Sequence, residues 1–117
     1  NLDAARSRLM DILCNYAGYR KCVPILVFDA YRVKGAGREQ ETWHNLHVIY
    51  TREAETADMF IERATHELAK NHRVRVVSSD GAEQIIILGN GALRVSARAF
   101  EREVRAVEAE IREFLDQ

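Results

Sequence analysis

Four carboxylates stand where an α/β protein would gather them. Asp29 directly follows the apolar run Val23-Pro-Ile-Leu-Val-Phe28, and Asp58 lies early in a helical pattern with Glu55 one turn before it. Asp80 follows Val74-Arg-Val-Val77 by two serines. In open α/β sheets ligands bind at the carboxyl ends of the strands, so acids at those positions converge on one edge. Clustered carboxylates repel one another and resist desolvation, and such a cluster normally persists by holding a divalent cation. Oxygen-only ligation suits Mg2+ or Mn2+. A cation there can polarise a phosphate and lower the pKa of bound water, giving a hydroxide nucleophile without any Ser, Cys or His nucleophile. A structural account stands beside this one, because Asp and Glu are favoured at helix amino termini, where they cap donors and meet the positive end of the dipole. Glu55, Asp58 and Asp80 each fit that account alone. Asp29, at a strand end before a long polar connection, has less structural need of an acid.

The elements that must position these residues follow from periodicity. Leu2, Ala5, Leu9, Ile12, Leu13 and Tyr16 recur at three- and four-residue spacing, which predicts a helix ending before Gly18. Val23–Phe28 is too short for a helix and rich in β-branched residues, as expected of a strand buried on both faces, with Pro24 near its start. Residues 30 to 44 are polar, with Gly35 and Gly37 close together, and read as one long loop. Leu46–Tyr50 is a second strand, and Glu55 to Asn71 carries Ala57, Phe60, Ile61, Ala64 and Leu68 at helical spacing. Val74–Val77 is a third strand, Asp80 to Leu88 a short helix closed near Gly89, and Ala92–Val95 a fourth strand. Ser96 can cap a last helix whose stripe is Phe100, Val104, Val107, Ile111, Phe114 and Leu115. Strands separated by helices imply a mainly parallel sheet with helices on both sides.

A chain of 117 residues, 47% hydrophobic, is sized for one domain with one ordinary core, without repeat or linker. Charged residues make up 30% and sum to a formal net charge of -1, so bulk charge does not draw the molecule to nucleic acid. A local patch must do so. Arg20, Lys21, Arg32, Lys34 and Arg38 flank the first apolar strand, with Tyr31 and Trp43 bracketing most of the loop. Basic side chains neutralise phosphates while aromatics stack on unpaired bases, making this loop the candidate RNA surface, against the alternative of an ordinary solvated loop. Arg94 and Arg98 are weaker candidates. Cys14 and Cys22 lack the spacing of a disulfide framework or zinc site and read as small apolar residues in a reducing cytosol. His44, His47, His66 and His72 have no convergent cysteine partners, and Gly89-Asn-Gly91 precedes a strand instead of opening a helix. No run approaches the length of a membrane span, and no signal pattern opens the sequence, so a soluble cytoplasmic protein is expected.

The segments Phe28-Asp-Ala-Tyr-Arg-Val33, Val48-Ile-Tyr-Thr-Arg-Glu-Ala-Glu-Thr-Ala-Asp58, Ser78-Ser-Asp-Gly81 with Glu83 and Gln84, and Gly91-Ala-Leu-Arg-Val-Ser-Ala-Arg98 resemble, in order and spacing, the successive motifs of YacP-type NYN-domain proteins. The resemblance covers nearly the whole chain. It implies a three-layer PIN-like Rossmannoid fold, acidic residues binding Mg2+ or Mn2+, and endonucleolytic cleavage of RNA associated with the ribosome and mRNA decay. Asp29, Asp58 and Asp80 match the family's acidic positions, with Glu55 a second-line metal ligand. The expected function is therefore a metal-dependent endoribonuclease, with a catalytically inactive RNA- or ribosome-binding module as the alternative. The bare residues also admit a small-molecule phosphohydrolase.

One departure stands out. Family members carry a strand ending in Asp-Gly-Tyr-Asn before the first helix, and nothing like it precedes Asn1 in this sequence. That aspartate is a principal metal ligand, and its strand is expected between the Val23 and Val74 strands. The sequence thus reads as an amino-terminally incomplete domain, expected to leave two strand edges to pair with each other or, by strand exchange, within a homodimer.

Overall fold

A computed structural model describes residues 2–29, 40–51, 55–78, 83–89 and 94–117. Helix α1 (Leu2–Arg20) leads into strand β1 (Val23–Phe28), followed by β2 (Gln40–Trp43), β3 (Leu46–Tyr50), α2 (Ala57–Leu68), β4 (Val74–Ser78), β5 (Glu83–Leu88), β6 (Arg94–Ser96) and α3 (Ala97–Leu115). The six strands form one sheet in the order β2-β3-β1-β5-β4-β6. The sheet is mixed: β1 pairs β3 and β4 pairs β6 in parallel, while β5 runs antiparallel to both β1 and β4, and β2 to β3. Strands β1, β3, β4 and β6 therefore all point the same way. Their ends define a common carboxyl edge, as the α/β reading requires.

The central strands alternate their side chains between two layers. Leu26, Phe28, Val48, Tyr50, Val77, Ile85 and Ile87 face α1 and α3, with Leu13, Tyr16, Phe100, Val104 and Val107 closing that core. Val27, Val74, Val76 and Ile86 face α2, which contributes Ala57 and Ile61. The result is a sheet covered by helices on both faces, with successive side chains of its central strands entering opposite layers.

Several local readings change. Glu83–Leu88 is a strand where the sequence reads as a helix, because Ile85 and Ile87 meet one helical layer and Ile86 the other. A run of β-branched residues suits that two-sided burial. β5 also occupies the slot between β1 and β4, so neither strand presents the bare edge expected there. β2 falls within the segment read as loop; its pattern is almost wholly exposed, so no apolar alternation marks it. Helix α1 runs past Gly18 to Arg20, and Cys22 N–H closes it on the Ala17 carbonyl at 3.1 Å. Phe114 and Leu115 lie 70% and 72% exposed, outside the core to which the stripe assigned them. Cys22 is buried and Cys14 half-buried, both as free thiols.

Candidate active site at the carboxyl edge

Asp29 leaves β1 at the carboxyl edge and turns toward α2. Its Oδ1 accepts the backbone N–H of Ala57, the first residue of α2, at 2.5 Å. Thr56 Oγ1 caps the same helix by accepting Met59 N–H at 3.1 Å. Two of the four orphan donors of α2 are thus met by side chains. Thr51 N–H donates to the Phe28 carbonyl at 2.9 Å, continuing the β1–β3 ladder one residue past β3 and holding the two strand ends together.

The structure brings Asp29 and Asp58 to the same helix terminus. Asp58 is exposed in the first turn of α2, one residue beyond the N–H that Asp29 holds. Glu55 sits just outside the helix and is held by Arg63, whose Nη2 and Nε lie 3.0 and 3.3 Å from its carboxylate oxygens. Asp80 lies outside the described residues, two positions beyond Ser78, which ends β4. The capping account thus fits Asp29, the acid whose position seemed least structural. Among the described residues no group of three His, Cys, Asp or Glu side chains is placed to hold a metal ion.

The expected RNA-contacting residues do not form one surface. Tyr31, Arg32, Lys34 and Arg38 lie outside the described residues. Arg20 and Lys21 close α1 at the amino edge, the full length of β1 away from Asp29. Arg94 is exposed on edge strand β6 opposite Val76, and Arg98 is exposed in the first turn of α3 at the carboxyl edge.

One cation at the carboxyl edge escapes sequence reading. Arg6, near the start of α1, places its guanidinium 6.0 Å from the centre of the Phe28 ring, which stacks on Tyr50 at 5.7 Å and 18°. Tyr50 donates its hydroxyl to Glu41 at 2.9 Å. Burial first, then that carboxylate, pushes the phenol up to about 12, with Arg6 opposing. In the sequence Arg6 is one more polar position on an amphipathic helix. Only the α1-to-β1 reversal, which starts α1 at the carboxyl edge, gives it significance. Farther along the same layer an apolar cavity of about 230 Å³ opens between α1 and α3, lined by Leu9, Ile12, Val77, Ile85, Phe100 and Val104.

These features can be set beside known proteins. The chain is 41% identical over 112 residues to a Bacillus subtilis (strain 168) protein described as uncharacterized protein YacP, a match covering 95% of this chain and 65% of that protein. It is also similar to the crystal structure of Rae1 (YacP) from Bacillus subtilis, with a TM-score of 0.74, 34% identity, and coverage of 97% of this chain and 65% of the other. The chain therefore spans about 65% of the length of the relatives it matches. The model of the YacP-like NYN domain matches residues 1–117. With the fold, the identity and the full-length match in agreement, the chain belongs to the YacP-like NYN domain family.

Proposed function

We propose that this chain carries the catalytic fold of a divalent-metal-dependent endoribonuclease, hydrolysing RNA phosphodiester bonds at the carboxyl edge. The observation that carries this reading is the meeting of Asp29 and the first turn of α2, with Asp58, within a chain whose whole length matches the YacP-like NYN model. The family is the support for RNA as substrate. The proposal extends to mRNA acted on at the ribosome, in the cytoplasm. Among the described residues no helix is long and apolar enough to cross a membrane.

Asp29, Asp58 and Asp80 are the residues to hold Mg2+ or Mn2+, with Glu55 in reserve. Carboxylate oxygens are the donors these hard cations take, and two of the three carboxylates lie at one helix terminus. When bound, the cation supplies Lewis acidity toward a phosphate oxygen and an activated water. The chain's own part is orientation. Ala57 N–H fixes the Asp29 carboxylate through Oδ1. The positive end of the α2 dipole favours anionic groups at that same position. No residue is assigned as the sole base.

Cleavage of a single-stranded RNA in Mg2+ or Mn2+, against EDTA, tests the reading. Asp29→Asn should slow it by more than about 10-fold, the least that losing even an outer contact to a metal ligand costs. A specific observation favours a second reading: Asp29 is already engaged by Ala57, and Glu55 by Arg63. A chain that binds RNA or ribosomes yet cuts with neither metal is an RNA-binding module on a nuclease fold.

A further inference from the structure

The carboxyl edge presents acids to a polyanion. Asp29 and Asp58 meet at the start of α2, with Glu55 just before it. Carboxylates repel the phosphates of an approaching RNA, and a divalent cation offsets that repulsion only where it sits, so phosphates beside the scissile one need a cation of the protein's own. Arg63 of α2 is engaged by Glu55. Arg98 follows β6, three strands along the sheet from β1, or roughly 14 Å at the usual strand spacing.

Arg6 is nearer. Its guanidinium lies 6.0 Å from the centre of the Phe28 ring, and Phe28 directly precedes Asp29, one Cα step of about 3.8 Å along the chain. The ring is a fixed support, since it is buried, stacked on Tyr50, and its residue's carbonyl accepts Thr51 N–H. The charge of Arg6 also reaches Tyr50, where it opposes the upward push of burial and Glu41 on the phenol. An aromatic face orients a guanidinium without neutralising it. Phe28 faces the layer of α1 and α3, whereas Asp29 turns to α2. Arg6 and Asp29 therefore flank the end of β1 from opposite faces of the sheet, and a strand of RNA crossing the edge over β1 meets them in succession.

We propose that Arg6 holds the RNA phosphate next to the scissile one, a contact that positions the strand across the end of β1. The inference rests on RNA being the ligand of this edge. A guanidinium suits the task, because its planar fork of N–H donors matches phosphate oxygens in a two-point contact. Arg6 positions the strand and takes no part in the hydrolytic step.

Binding of a labelled single-stranded RNA in EDTA, followed by anisotropy, reads this contact apart from any metal. Arg6→Gln should weaken binding roughly 10-fold, the equivalent of one hydrogen-bonded charge contact. It should also lower the slope of log affinity against log salt by about 0.7. Arg6→Lys keeps the charge and loses the fork, so it should keep the slope while losing part of the affinity. In Mg2+ or Mn2+, Arg6→Gln should raise KM with kcat nearly unchanged, whereas Asp29→Asn should lower kcat. RNA carrying one neutral methylphosphonate, moved along the strand, should have one position at which wild type and Arg6→Lys bind equally, and that position should adjoin the point of cleavage. This comparison keeps the test decisive if Arg6→Gln does not fold. A lowered urea midpoint for Arg6→Gln with the salt slope unchanged makes Arg6 a packing residue on Phe28 and overturns the proposal. So does equal affinity of wild type and both variants, which leaves RNA as ligand. RNA that wild type neither binds nor cuts overturns both.

Discussion

Asp29 has two jobs that a pair of substitutions can separate. Its Oδ1 caps α2 through Ala57 N–H, a structural role, and its charge faces the edge where a cation would be held. Asparagine keeps an acceptor oxygen, so Asp29→Asn should cost only a few tenths of a kcal/mol in stability, whereas Asp29→Ala removes the cap and should cost about 1 kcal/mol. Urea unfolding of the two variants measures the difference. If Asp29→Asn is folded and stable yet slow in cleavage, the loss belongs to chemistry; if both variants fall equally in stability, the cap account of Asp29 is wrong. The acid was visible in the sequence as a strand-end aspartate. Its bond to Ala57 was not, because it joins residues 28 positions apart and depends on how α2 docks.

At the scale of elements, α1, β4 and α3 are tied by a partly buried polar cluster. Arg75 of β4, with 7% of its side chain exposed, donates from Nη2 to Glu103 Oε1 at 2.5 Å and from Nη1 to the Tyr16 hydroxyl at 3.3 Å. Tyr16 in turn donates to Glu103 Oε2 at 2.9 Å and packs edge-on against Phe100. Burial alone would push the Glu103 carboxyl up, but the bonds from Arg75 and Tyr16 outweigh it and hold the carboxyl below its usual value. A depressed folded value means that this stabilisation is fully present above about pH 4.3, the unfolded value, and is lost as pH falls through the folded one. Breaking a fully buried pair costs about 3–5 kcal/mol; because Glu103 is 39% exposed, Glu103→Ala should cost nearer 2 kcal/mol at pH 7. Equilibrium unfolding at pH 7 and below pH 4 checks this, the gap between wild type and variant narrowing at low pH. Arg75 within Val-Arg-Val-Val gave no such signal in the sequence, since a lone charge in a strand reads as a solvent-facing position. The partner lies 28 residues away on a helix whose alternating Glu and Arg otherwise look alike.

At the scale of the whole molecule, β5 joins two groups of strands, β2-β3-β1 and β4-β6. Most of this architecture was legible: β1, β3, β4, α2 and α3 all follow from apolar period and length. β5 was not, because a short apolar run such as Ile85-Ile-Ile-Leu88 cannot be told from a buried helical turn by periodicity. Its strand state is decided by neighbours distant in sequence, β1 on one side and helices on both faces. β2 was hidden for the opposite reason, being polar and paired with β3 alone. The central position of β5 makes a prediction about cooperativity. Ile86 is fully buried, so Ile86→Ala should cost about 2–5 kcal/mol, the range for opening a cavity in a packed core. Hydrogen exchange locates that cost. If β5 is integral to one folding unit, amides of β1, β4 and β5 that open only by global unfolding should all lose the same amount of protection, while edge strands β2 and β6, which open locally, change little. Loss confined to β5, with β1 and β4 keeping their protection, would instead make β5 a separately opening insert between two strands that hold together without it.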